Sequence, residues 1–184
     1  MNVRETDLSG VYLIEPRVFR DSRGFFMESF HADRYAEAGI DGTFVQDNYS
    51  CSCRGTLRGL HYQIQHPQGK IVQVVRGEIF DVAVDLRRDS VHFGDWVGVR
   101  LSESNQWQLY IPPGFAHGFF VLSEQADFFY KCTDFYYPQF ERSLLWNDPE
   151  LAVDWPLDGD PILSDKDRDG TPLAQAECFE TSPS

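Results

Sequence analysis

The sequence is poor in cysteine, short of positive charge, and without a long apolar run. Four cysteines, Cys51, Cys53, Cys132 and Cys178, are few for 184 residues, which argues against a disulfide framework and for thiols in a reducing compartment. Cys51 and Cys53 lack the two-residue interval of a zinc knuckle; on a strand both thiols share one face, an arrangement suited to packing. Sixteen Lys and Arg against 29 Asp and Glu leave a net charge of −13. With no basic run to offset it, a nucleic acid or an anionic membrane surface repels the chain. Apolar stretches last only a few residues, too short to span a bilayer. The start, Met1 to Glu5, lacks the basic-then-apolar pattern of a secretory leader. These absences predict a cytoplasmic protein with no nucleic-acid and no membrane partner.

What is present is core-forming material: 42% of residues are hydrophobic and 15% aromatic, including 15 Phe and 8 Tyr. The length suits one domain over residues 1–184. Short β-branched and aromatic segments separated by Gly, Pro, Asn and Asp predict strands at Val11–Glu15, Gly24–Phe30, Thr43–Ser52, Thr56–Gln63, Lys70–Arg76, Glu78–Leu86, Asp95–Leu101, Gln106–Ile111, Gly118–Leu122 and Asp127–Phe135. Two peripheral helices are predicted, one over His31–Ala38 stopped by Gly39, the other opened by Asp148 as N-cap with Pro149 behind it. The pattern is all-β, and the strand count suits a jelly-roll β-barrel. From Leu157 onward there are 7 acids and 2 bases; the first part reads as an extension packed on the barrel and the last residues as a frayed tail.

Of the five histidines, His61 and His117 sit beside barrel signals. His61 lies in Leu57-Arg58-Gly59-Leu60-His61-Tyr62, where a glycine inside a strand pattern signals a bulge or a close backbone approach. His117 follows the turn Pro112-Pro113-Gly114. Each residue by itself reads as a core or turn histidine. The Pro-Gly-x-x-His segment together with the Arg76-Gly77-Glu78 turn resembles the cupin superfamily. Its usual metal site draws on a His-x-His pair, which this chain lacks, and two histidines fall short of a three- or four-ligand set. No metal is expected.

A closer resemblance is to the dTDP-4-dehydrorhamnose 3,5-epimerases, metal-free cupins of nucleotide-sugar metabolism. It rests on the order of Asp21-Ser22-Arg23-Gly24-Phe25-Phe26-Met27-Glu28, Gln46-Asp47-Asn48-Tyr49-Ser50, Leu57 to Gln63, Phe80 to Arg87, Pro113 to Phe119, Phe129-Tyr130-Lys131-Cys132, Trp146-Asn147-Asp148-Pro149, and Leu163-Ser164-Asp165-Lys166-Asp167. The resemblance implies inversion of the two carbons flanking a sugar ketone, without a cofactor. Such chemistry needs a base, an acid on the opposite face, and a cation or donor at the ketone oxygen. Carried over by motif, His61 is the base, Tyr130 the acid, Asp167 the residue that orients His61, and Lys70 the cation. By composition alone Tyr130 is a barrel-wall aromatic, Asp167 part of a capping box opened by Ser164, and Lys70 a guard at a strand edge.

The same resemblance assigns contacts with a dTDP-sugar to Arg23, Glu28, Gln46, Asp47, Asn48, Arg58, His117, Glu141 and Lys166. It implies a homodimer in which Arg23 and Glu28 reach the neighbouring subunit's site through an exchanged N-terminal segment. Strict alternation puts Arg58 and His61 on opposite faces, so a shared pocket requires a bulge at Gly59. Two rivals remain open at this point: a mono-epimerase of another deoxysugar route, and a non-catalytic cupin that binds a sugar nucleotide.

Overall fold

The structure, a computed structural model, describes residues 1–183. Two antiparallel sheets face each other. The first is ordered β1 (Asn2–Glu5), β2 (Tyr12–Glu15), β10 (Gln108–Ile111), β7 (Lys70–Arg76), β12 (Gln125–Cys132) and β5 (Gln46–Cys53). The second is ordered β13 (Glu141–Ser143), β6 (Leu57–Gln63), β11 (Phe115–Val121), β8 (Glu78–Asp85) and β9 (Trp96–Ser102). A separate hairpin pairs β3 (Val18–Asp21) with β4 (Gly24–Met27). The sheets form a jelly-roll-like sandwich that does not close into the expected barrel.

The second sheet is packed on both faces and the first is covered outside only in part, its outer side staying open at Tyr49 of β5 and Val75 of β7. Between the sheets lies a core of Val72, Val74, Leu109 and Phe128 from one sheet and Ile79, Ala83, Phe115 and Phe119 from the other. Outside the second sheet, Leu144, Trp155, Leu173 and Phe179 cover Leu60, Val82, Val84 and Phe120. Outside the first, helix α1 (Ala32–Glu37) brings Tyr35 onto Ile14, Ile71 and Tyr110. Strand β11 is therefore buried along its whole length, as a central strand in a multilayer structure should be. Beyond Leu157, Leu173, Ala176 and Phe179 lie in the cluster outside the second sheet, and Ser182 N donates to Asp89 Oδ2 at 3.1 Å. Of the predicted tail, Ser184 lies outside the described residues.

Several predicted boundaries change. The single strand expected over Gly24–Phe30 is half of a hairpin, because Asp21 Oδ1 accepts from Arg23 N at 2.8 Å and Gly24 takes φ +133°, making a turn there. The helix expected after Asp148 is one turn only. Asp148 caps Glu150 N at 2.7 Å, but its other oxygen accepts from Leu173 N at 2.7 Å, and Ala152 turns to φ +47°. Helix α1 ends as predicted: Gly39 at φ +84° lets Ile40 N reach Tyr35 O at 2.9 Å, a glycine C′ stop.

The bulge required at Gly59 is present. Arg58 lies opposite Phe119 and His61 opposite His117, so β6 carries one extra residue there. Gly59 has φ +121° and a cis peptide to Leu60. A Cβ on Gly59 would stand 2.6 Å from Gly118 Cα and 2.7 Å from His117 O. Gly59→Ala is thus expected to cost about 3 kcal/mol of stability, through overpacking and an unfavourable φ together. Urea unfolding measures it; an unchanged midpoint would show that the β6–β11 contact relaxes freely.

Candidate active site

A cavity of about 380 Å³ opens at the seam where β5 and β12 of one sheet face β6 and β13 of the other. Alternation along β5 sends Gln46, Asn48 and Ser50 inward and leaves Asp47 on the outer face, where Lys131 Nζ donates to it at 2.8 Å. The bulge on β6 turns both Arg58 and His61 to the cavity. Lys70, His117, Tyr130, Glu141 and Lys166 complete the wall from β7, β11, β12, β13 and helix α2 (Asp165–Arg168).

His61 is held from behind. Its Nε2 lies 2.6 Å from Asp167 Oδ1, which also accepts from Gly59 N at 3.1 Å. Asp167 Oδ2 accepts from Ser164 Oγ at 2.6 Å, and Ser164 caps α2 through Asp167 N at 3.2 Å. The capping geometry and the contact with His61 therefore coexist in one residue. Burial alone raises the Asp167 pKa, but the bonds from His61 and Ser164 and the nearby charge outweigh it and hold the carboxyl at about 2. An ionised Asp167 can only accept, so His61 Nε2 carries the proton and the lone pair sits on Nδ1. Burial also keeps the His61 pKa below its ordinary 6.5, against the opposing pull of Asp167. The result is a neutral, oriented imidazole near neutral pH.

Across the seam, burial raises Tyr130 to about 12, so its hydroxyl keeps a proton to give. Lys70 is only 9% exposed; burial lowers its pKa against the pull of Cys132, Asp81 and Glu141, and among the described residues no side chain or backbone oxygen accepts from its Nζ. An unpaired buried cation facing a cavity is costly unless a ligand supplies negative charge. Below it, Phe128 is buried and stacks on His117 at 6.0 Å, contributing roughly 2–3 kcal/mol by burial and forming the floor. His117 Nε2 is fixed 2.9 Å from the buried Asp81. Arg58 Nε donates to Ser52 Oγ at 3.0 Å, aiming its remaining donors at any anion in the mouth. Among the described residues, no three His, Cys, Asp or Glu side chains converge as a metal set.

The arrangement places a neutral imidazole, a protonated phenol and a buried amine around one space, the kinds of group needed for removing and returning a proton beside a carbonyl. Residues 5–175 match the family profile described as dTDP-4-dehydrorhamnose 3,5-epimerase. The chain belongs to this family. It is 58% identical to the dTDP-4-dehydrorhamnose 3,5-epimerase of Pseudomonas aeruginosa, covering 97% of this chain and 99% of the relative. It is 42% identical to a dTDP-4-dehydrorhamnose 3-epimerase of Streptomyces niveus, covering 96% and 86%. Its fold is similar to the Legionella pneumophila dTDP-6-deoxy-D-glucose-3,5-epimerase solved with dTDP-4-keto-L-rhamnose, with TM-score 0.94, 54% identity, and 96% and 94% of the two chains covered.

Of the thirteen residues that the family resemblance assigns, the cavity gathers Gln46, Asn48, Arg58, His61, Lys70, His117, Tyr130, Glu141 and Lys166, with Asp167 directly behind. Three lie elsewhere. Asp47 points to the opposite face of β5, as its neighbours' parity dictates. Arg23, on the hairpin, pairs with Asp21 at 2.5 Å, and Glu28 just after it with Arg34 at 2.6 Å, away from the chain's own cavity. Sequence reasoning overlooked Tyr136, which lines the mouth and donates its OH to Glu141 at 3.0 Å. It sits in a loop, where no periodicity signals orientation. It also overlooked Asp81, whose signal was available: a carboxylate at an inward position of an apolar strand.

Proposed function

We propose that this protein epimerises dTDP-4-dehydro-6-deoxy-D-glucose at C3 and C5 to dTDP-4-dehydro-L-rhamnose, in the cytoplasm, on the route to dTDP-L-rhamnose. The observation that carries the proposal is the pairing of a neutral imidazole, oriented by an ionised carboxylate, with a proton-retaining phenol contributed to the same cavity by the other sheet. His61 Nδ1 takes the proton from the carbon beside the ketone, and the C–H electron pair moves into the carbonyl to form an enolate. The Lys70 ammonium opposes the charge on that oxygen. Tyr130 then gives its proton to the other face of the carbon, and solvent restores both groups. Each carbon ends at the oxidation state where it began, so the reaction needs no redox group.

Incubation in D₂O followed by proton NMR tests this. Exchange and inversion at both C3 and C5 are expected; exchange at one carbon favours the mono-epimerase reading that the Streptomyces relative makes relevant, and exchange at neither removes the enzyme reading. In Tyr130→Phe, solvent deuterium should still enter from the His61 face with retention, while inversion falls by at least about 10-fold. Equal loss of both would assign the acid to another group.

We further infer a homodimer in which the hairpin crosses to the partner's cavity. Support comes from Phe19, Phe25 and Phe26, exposed by 49, 52 and 70%, far more apolar surface than a short two-stranded arm leaves in water without a partner. Arg23 and Glu28 ride on that arm and would enter the partner's site. Mixing Arg23→Ala with His61→Asn chains should then restore about a quarter of wild-type activity, since half the dimers are mixed and carry one intact site. No restoration would confine each site to one chain.

A further inference from the structure

Gln63 closes β6 two residues beyond His61 and is 4% exposed. Its amide makes three hydrogen bonds, all to backbone. Nε2 donates to His66 O at 2.7 Å and to Phe135 O at 3.2 Å, and Oε1 accepts from Tyr137 N at 2.6 Å. These partners lie on two loops that both rim the cavity, 64–69 and 133–140, which otherwise contain only a single 3₁₀ turn at Pro138–Phe140. The loops are also joined by Gln68 Nε2 to Asp134 O at 2.8 Å and by Gly69 N to Thr133 Oγ1 at 2.8 Å. The His66 ring lies 4.5 Å from that of Tyr137.

Two of the three Gln63 bonds fall on the residues immediately before and after Tyr136. Tyr136 is in turn tied to the cavity wall, its N donating to Gln46 Oε1 at 2.9 Å and its OH to Glu141 Oε2 at 3.0 Å. Half its surface stays open at the mouth. Gln63 also lines the cavity, but with both amide hydrogens and one oxygen lone pair taken by backbone it has a single acceptor position left for a ligand. What it does offer is a rigid link from the strand carrying the base to the loop carrying the rim aromatic.

We propose that Gln63 is a positioning residue that holds Tyr136 at the mouth and thereby sets affinity for the dTDP part of the substrate, without taking part in proton transfer. This rests on the functional reading above and adds to it a division of labour along one strand. Gln63→Met keeps the length and removes all three bonds; Gln63→Glu keeps the bond from Tyr137 N but puts one carboxylate oxygen against the carbonyls of His66 and Phe135. Both should raise the calorimetric Kd for dTDP and the KM by about tenfold or more, with kcat within about threefold. In a Tyr136→Ala background the same substitutions should change Kd by less than about twofold, because the group they act through is gone.

A fall in kcat at unchanged Kd, or the full effect persisting in Tyr136→Ala, overturns the positioning role. So does an unchanged Kd in both variants of a protein that binds dTDP. Wild-type protein that does not bind dTDP at all overturns instead the functional reading. Thermal melts identify whether Gln63→Met folds; if it does not, Gln63→Glu carries the same test.

Discussion

His61→Asn is expected to lower kcat by at least about 10²-fold, the usual scale of a lost general base. The substituted amide can still bond Asp167 and fills most of the imidazole's space, so the cavity keeps its shape. What disappears is the Nδ1 lone pair, the proposed acceptor of the carbon-bound proton. Arg58, Gln46 and Lys166 keep their places, so dTDP affinity should move by less than about threefold. Turnover near the wild-type rate would take the base role from His61. Normal dTDP binding by wild-type protein with no turnover would instead favour a binding module, the reading of a different class that the sequence left open.

Asp167→Asn should cost roughly 10- to 100-fold in kcat and also move the pH profile, which a purely structural cap would not do. Asn can accept from His61 and Gly59 through its oxygen and donate to Ser164, so the hydrogen bonds survive and only the charge is lost. The bond to Asp167 and that charge, with a smaller contribution from Glu141, raise the His61 pKa against burial. Without the charge the pKa falls further. In the proposed mechanism activity depends on neutral His61, so it should decline as pH falls through that pKa: the wild-type acid limb is expected below pH 6.5, and in the variant it should move lower while the plateau drops, a weaker base being slower. Stability follows a separate sign. Asp167 ionises more readily folded, at about 2, than at its ordinary 3.8, so it contributes roughly 2 kcal/mol above pH 3.8 that is lost as pH falls through about 2. A plateau unchanged in Asp167→Asn, with loss of stability alone, would leave Asp167 as the cap of α2 only.

Much of the site was legible because strands have a period of two. Parity along β6 showed that Arg58 and His61 could not share a cavity without an extra residue, and Gly59 was the one residue there able to provide it. The same parity, applied to β5, would have removed Asp47 from the cavity, since Gln46 and Asn48 flank it. On β8 it would have marked Asp81. That the segment after Asp148 makes a turn and no helix was not legible, because its N-cap signal is real but the second carboxylate oxygen is claimed by Leu173, 25 positions away. The three-residue strand β13 is too short to show a period at all.

By itself the sequence determined the all-β class, most of the segments that become strands, the glycine required for Arg58 and His61 to share a cavity, and the ordered motifs that identify the family. The tertiary structure decided which faces meet: that His61 finds Asp167 across 106 positions, that Gln63 brackets Tyr136 from a loop more than 70 positions along, and that Arg23 and Glu28 point away from their own cavity. Local signals reach only a few residues, through backbone sterics and the alternation of side chains. Contacts between distant segments arise when two sheets bury their apolar faces together, and only the packed geometry carries that information.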